Sequence, residues 1–165
     1  MFSRFGINRK LDMVLNAKAD AMASIKGSKA YAKIRGSVLF HQTPEGVLVT
    51  AYIKGLPHDD NICKSRVFGF HIHEGGKCTG DEDDPFASAG PHYNPKGCPH
   101  PHHAGDLPPL FENQGKAFFV FLTNRFKVKE IIGRTIILHG SPDDFTTQPS
   151  GNSGEKIACA VIKSL

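Results

Sequence analysis

Apolar and polar residues alternate along most of the chain with the period of two that is typical of β-strands. In residues 46–54, for example, Val47, Val49 and Ala51 share one face, while Thr50 lies on the other. The turn residues 43–46 join this segment to the one before it as a predicted hairpin. The alternation predicts strands at residues 20–26, 32–42, 46–54, 66–73, 117–123, 126–131, 134–139 and 156–163.

Two stretches interrupt this pattern: residues 74–115, which are rich in Gly and Pro, and residues 140–155, which are rich in Gly, Ser, Pro and Asp. Loops of this length inside a compact domain usually have a function, and each follows a predicted strand that ends in histidine. Residues 7–18 show helical spacing instead. We therefore expect an N-terminal extension at residues 1–18, either helical or irregular, and one all-β domain with two long functional loops at residues 19–165.

Length and charge limit the classes of function. A chain of 165 residues suits one domain, and its net charge of +4 is spread without a cluster of Lys and Arg, so nucleic acid is not an expected partner. The sequence has no apolar run near the roughly 18 residues of a membrane span, so we expect no membrane partner. It also shows no apolar core of a secretory signal, which favours a cytoplasmic location and leaves export open.

Histidine is the unusual residue: the chain has nine, and six lie between residues 71 and 103. His71 and His73 stand two apart on a predicted strand, so both imidazoles project from one face and provide half of a copper or zinc site. The alternative is a polar strand face with two solvated histidines.

A second group of candidates lies in the first long loop, and a third begins the second loop. His92, His100, His102, His103 and Asp106 offer the imidazoles and carboxylate of a tetrahedral zinc site, or else decorate the surface. His139 ends an apolar strand and is either a structural residue or a further ligand for the His71 site. Asp143 follows four residues later, where it could orient a ligand through its second ring nitrogen.

Five strings in this order make the chain resemble the copper/zinc superoxide dismutase family. They are GFHIHEGGKC (69–78), AGPHYNP (89–95), HAGDLPPL (103–110), GRTIILHGSPDD (133–144) and GNSGEKIAC (151–159). The resemblance covers about 145 residues and implies an antiparallel Greek-key sandwich or barrel of about eight strands, an architecture for which this family is a standard example.

The resemblance also implies the site. Copper would be held by His71, His73, His92 and His139, and zinc by His92, His100, His103 and Asp106, so that His92 bridges the two metals. The implied activity is the dismutation of superoxide to dioxygen and hydrogen peroxide by copper redox cycling, with His92 supplying a proton. A non-catalytic copper and zinc buffer on the same fold is the alternative, and a homodimer is left open.

Three details depart from the family pattern or remain open. Lys156 stands where the family usually has an arginine at the rim of the copper channel, which keeps the charge but loses the planar fork, unless it is a plain exposed lysine. The loop between two zinc ligands is short, which leaves His100 and His102 as competing ligands. The acidic run 81–84 is most simply a solvated loop face.

The four cysteines divide into two pairs. The resemblance implies a disulfide between Cys78 in the first long loop and Cys159 in the last strand. Cys63 and Cys98 are interpreted as buried free thiols or a second bridge, and Cys98 could also compete for metal.

Overall fold

The chain folds almost entirely into antiparallel β-structure. The computed structural model describes residues 18–165 apart from residues 62, 64 and 65, so the helix predicted at 7–18 lies, but for its last residue, outside the described part. Short helical turns lie at Lys29–Tyr31, Ala87–Ala89 and Val128–Ile131, the last of which is α1. The described strands are β1 Ala21–Gly27, β2 Arg35–Thr43, β3 Gly46–Lys54, β4 Val67–Phe68, β5 Phe70–His73, β6 Leu110–Phe111, β7 Lys116–Thr123, β8 Thr135–His139 and β9 Lys156–Ser164.

Seven strands form one antiparallel sheet in the order β5-β8-β9-β1-β2-β3-β7, and β4 pairs with β6. Because Gly69 alone separates β4 from β5, one bent stretch takes part in both sheets. The chain crosses from β3, next to one edge, to β5 at the other edge, and later returns from β7 to β8. These long crossings agree with the Greek-key connectivity that was predicted.

The alternation seen in the sequence decides which residues enter the core. On β3, Val47, Val49 and Ile53 are fully buried, while Tyr52 on the opposite face is 44% exposed. The hairpin predicted at 43–46 is confirmed by the pairing of Thr43 with Gly46. The curled sheet thereby encloses one large apolar core, whose fully buried aromatic side chains are Phe40, Phe68 and Phe70.

The structure corrects two strand predictions. Residues 126–131 do not form a strand but contain α1, in which the Lys127 amide donates to the Glu130 carboxylate at 2.8 Å. Val128 and Ile131 are buried with helical spacing, and such a short apolar pattern suits either element. The second correction is β6, a two-residue strand inside the predicted loop 74–115.

The disulfide between Cys78 and Cys159 is present and closes a sequence separation of 81 residues. It joins the first long loop to β9 beside a small apolar cluster that includes Phe86. The expectation for the other two cysteines is wrong in part, because Cys63 is exposed, Cys98 is half-buried, and both are free thiols. Among the described residues, no helix combines the length and the hydropathy required to cross a membrane.

Candidate metal centre

Strand β5 presents His71 and His73 on the face opposite the core, as their spacing predicts. Phe70 and Ile72 alternate with the two histidines along the strand and point into the core, and all four side chains are buried. The histidines are buried because the two long loops cover the outer face of the sheet at this point. The alternative of a solvated polar face is therefore excluded.

Backbone hydrogen bonds place the first long loop directly on β5. The Tyr93 amide donates to the Ile72 carbonyl at 2.8 Å, and the Ile72 amide donates to the Gly105 carbonyl at 2.9 Å. These bonds set His92 opposite His73 and Asp106 opposite His71 in isolated β-bridges. Two distant loop residues thus reach the strand histidines through main-chain pairing.

The first cluster consists of His71, His73, His92 and His139, all buried, with one ligand atom from each within 4.8 Å of all the others. His73 Nδ1 donates to the Gly90 carbonyl at 2.7 Å, and His139 Nδ1 donates to the Gly154 carbonyl at 3.2 Å. Both Nε2 atoms are therefore unprotonated, and they face each other at 3.2 Å. Two lone pairs cannot form a hydrogen bond, so a shared cation is the partner that satisfies them.

Burial favours the neutral form of His71, His73 and His139, and the neutral form is the one that binds a metal. Burial lowers the pKa of His71, lowers that of His73 well below its ordinary value, and lowers the pKa of His139 to about 3. Neighbouring rings add to the effect, since the proximity of His139 lowers the pKa of His73 further. An all-imidazole set of this kind suits copper or zinc.

The second cluster surrounds the Asp106 carboxylate and contains three imidazoles. Asp106 Oδ1 lies 2.8 Å from His92 Nδ1 and 3.3 Å from His103 Nδ1, and Oδ2 lies 3.1 Å from His100 Nδ1. Burial alone raises the pKa of Asp106, but the contacts with the three rings outweigh it and lower that pKa. Three nitrogens and one carboxylate oxygen are the donor set of a closed tetrahedral zinc site.

His92 belongs to both clusters. Its Nδ1 faces Asp106, while its Nε2 is buried without a hydrogen-bond partner in the described part of the chain. The His92 ring lies 4.0 Å from the His71 ring and 4.8 Å from the His73 ring, centroid to centroid. One imidazole therefore offers a nitrogen to each of two adjoining metal sites.

Asp143 forms a second link between the clusters. Its two carboxylate oxygens accept from His71 Nε2 at 2.8 Å and from His100 Nε2 at 2.9 Å. Burial raises the pKa of Asp143, but these bonds and the Phe145 amide hold it well below its ordinary value. With Nε2 engaged, Nδ1 of each ring is free to bind metal.

A glycine makes this link sterically feasible. Gly151 has a φ of +67°, a conformation that favours glycine, and lies against the carboxylate of Asp143. A Cβ at this position would stand 2.0 Å from Asp143 Oδ1 and 2.6 Å from His100 Nε2. The second long loop can therefore close over the two clusters only with glycine here.

Two further side chains position the zinc ligands, and no motif or spacing in the sequence predicts either of them. Gln148 holds the main chain of His100, accepting from its amide at 3.0 Å and donating to its carbonyl at 2.7 Å. Arg125 Nη1 donates to the carbonyls of Pro101, His103 and Asp106 at 3.0 to 3.3 Å. Such contacts depend on how distant loops meet, which residue spacing does not encode.

The three remaining histidines lie outside both clusters. His102 is exposed, which resolves the competition with His100 in favour of His100. His58 pairs with the buried Glu112 at 2.7 Å, and His41 is buried in β2.

A cavity of about 740 Å³ opens above the first cluster and is lined by His73, His92 and His139. Lys156 lies in its wall, but its ammonium pairs with the carboxylate of Asp84. The expectation that the acidic run 81–84 is simply a solvated face is therefore wrong for Asp84, which is half-buried in this ion pair.

Comparison with known proteins agrees with the geometry. The family described as copper/zinc superoxide dismutase matches residues 34–162. The chain is similar to Superoxide dismutase [Cu-Zn] of Deinococcus radiodurans, with 34% identity over 152 residues that cover 81% of this chain and 79% of the relative. It is also similar to Superoxide dismutase [Cu-Zn] of Schizosaccharomyces pombe, with 34% identity over 158 residues that cover 86% of this chain and 96% of the relative.

His100 and His102 form a matched pair for testing the zinc cluster. We expect His100→Ala to reduce zinc affinity by at least about 100-fold, because one of four donors is lost. His102→Ala should leave the zinc affinity unchanged, since His102 is exposed and outside the cluster. Competition with a chromophoric chelator measures both affinities. Equal losses in the two variants would contradict the assignment.

Proposed function

The chain belongs to the copper/zinc superoxide dismutase family, and we propose that it catalyses the dismutation of superoxide. In this proposal His92 is the internal proton carrier, and Lys156 is the cation that attracts the substrate. The overall reaction converts two superoxide anions and two protons into one dioxygen and one hydrogen peroxide. The observation that carries the proposal is the single ring, His92, that the two buried clusters share.

Metal binding and proton transfer are assigned to different side-chain atoms of the two clusters. Copper, when bound by His71, His73, His92 and His139, supplies the one-electron redox chemistry, and zinc in the second cluster supplies a fixed positive charge. His92 Nε2 is the ring atom in the copper cluster that can hold a proton and release it to reduced substrate. Its Nδ1, beside Asp106, keeps the ring in place while Nε2 changes partners.

The cavity above the first cluster, from here on called the channel, is lined by several charged residues. Among the described residues that line the channel, Lys156 is the one lysine or arginine. A cation in the wall of a cleft raises the local concentration of a small anion such as superoxide. The lysine lacks the fork with which arginine would orient an anion, so it attracts the substrate without directing it.

The alternative function, a buffer that stores copper and zinc, finds less support. Its extra metal sites would have to use His102 or Cys98, and both residues lie outside the two clusters. Each cluster uses one complete donor set and shares His92 with the other, which favours one copper and one zinc per chain.

A homodimer is the quaternary state that the outer surface favours. Four large hydrophobic residues on β3 and β7 form an outer apolar face: Tyr52, Phe118, Val120 and Leu122. Each of these residues is 38 to 70% exposed, and Tyr52 pairs directly with Phe118 across the two strands. β7 is an edge strand of the seven-stranded sheet, so this face extends to the edge of the sheet. The same face of a second copy would cover it around a two-fold axis.

The cytoplasmic location of the protein stays a prediction.

His139→Ala tests the proposed reaction. We expect the variant to lose copper from its site and to consume superoxide no faster than the zinc-only protein, while it still binds one zinc, because His139 is not in the zinc cluster. Superoxide decay and metal analysis measure the two effects. Two results would contradict the proposed enzymatic activity. One is wild-type activity no better than that of equimolar free copper, and the other is unchanged turnover in His139→Ala.

Phe118→Asp tests the dimer. A charge placed at a residue that is 70% exposed should be tolerated by the fold but should separate two copies that pack on this face. Light scattering after gel filtration should give a dimer for the wild-type protein and for Leu165→Asp, whose side chain is 52% exposed elsewhere, and a monomer for Phe118→Asp. A monomeric wild-type protein would refute the dimer.

A further inference from the structure

The ion pair between Lys156 and Asp84 lies in the wall of the channel that leads to the copper cluster. The lysine side chain is 17% exposed and the aspartate side chain 39% exposed, so the pair is partly shielded from water. Lys156 begins β9, whereas Asp84 comes from the first long loop. The pair therefore joins two segments that are 72 residues apart in the chain.

The loop holds the Asp84 carboxylate in this position. Its Oδ1 accepts from the Phe86 amide at 3.1 Å, which leaves Oδ2 for Lys156, and the Asp84 amide donates to the Asp81 carboxylate at 2.9 Å. The disulfide at Cys159, three residues beyond Lys156, ties the same loop to β9. The contact is fixed from both sides, unlike a pair between two free surface side chains.

The channel wall is otherwise acidic. Among the described residues, Glu74, Asp83, Asp84 and Glu155 line it, against the single ammonium of Lys156. Glu155 is held by the Tyr31 hydroxyl, which donates to it at 2.5 Å. Asp84 is thus the carboxylate that pairs with Lys156, the one lysine or arginine among the described residues that line the channel.

We propose that Asp84 limits the access of small anions to the copper cluster by competing with them for the ammonium of Lys156. The inference rests on the proposed function for its physiological substrate, superoxide, but it applies to any small anion that enters the channel. An anion has to displace the carboxylate before it gains the attraction of Lys156. Asp84 therefore lowers the rate at which the protein captures small anions at the copper cluster.

The variant Asp84→Asn removes the charge and keeps an oxygen acceptor for the Phe86 amide. In the copper- and zinc-loaded protein at low salt, we expect azide affinity and kcat/KM for superoxide each to rise roughly fivefold, the size of one partly exposed ion pair. The gain should fade at 0.5 M salt, where ions screen Lys156 over roughly 4 Å. Azide binding is read from the copper(II) absorption spectrum and does not depend on turnover.

Two comparisons separate the ion pair from a general effect of charge. Asp83→Asn removes a neighbouring carboxylate that lines the same channel without an ion pair to Lys156, and it should change azide affinity less than roughly twofold. In a Lys156→Gln background, Asp84→Asn should have no further effect on azide affinity. If Asp84→Asn fails to fold, Asp84→Ser provides the same test with a hydroxyl acceptor.

Equal gains in Asp83→Asn and Asp84→Asn, or an undiminished gain in the Lys156→Gln background, would overturn the proposal, as would unchanged azide affinity in Asp84→Asn. Failure of the proposed function looks different: the protein would then consume no superoxide, while azide would still bind more tightly to Asp84→Asn.

Discussion

The structure depends on one constraint: in the described part of the chain, buried imidazole nitrogens of the two clusters have no proton donor to satisfy their lone pairs. Hydrogen bonds to Gly90 and Gly154 fix which nitrogens of His73 and His139 carry protons, and the bare Nε2 atoms converge. Lone pairs that face one another away from water destabilise the protein unless a cation lies between them. The covering loops, the shared carboxylate and the disulfide all maintain this arrangement, which bound metal then stabilises.

The link between the two clusters bears on the proposed role of His92 as a proton carrier. If His92 changes partners at Nε2, its position has to be held through the zinc side, where its Nδ1 contacts Asp106. Asp143 adds a second connection by holding His71 of one cluster and His100 of the other. Loss of zinc is therefore expected to disturb the copper ligands through two separate connections, one at His92 and one at Asp143.

The local periods of the sequence predicted what depends on neighbours along the chain. Alternation identified β3 and the paired projection of His71 and His73, because a strand fixes the direction of each side chain. It failed at 126–131, where a short apolar pattern suits a strand or a helical turn equally well. The ligand sets themselves came from the family resemblance, and the structure brings those residues together. The pairing of Lys156 with Asp84 and the hold of Gln148 on His100 could not be foreseen, since both depend on how two long loops meet.

The central claim is that one ring serves two metals, and anomalous diffraction from crystals loaded with copper and zinc tests it most directly. Data collected on either side of each absorption edge should place copper among His71, His73, His92 and His139, and zinc among His92, His100, His103 and Asp106. The account predicts one peak per metal, with the His92 ring between them. Both metals in one cluster, or two metals without His92 between them, would contradict it.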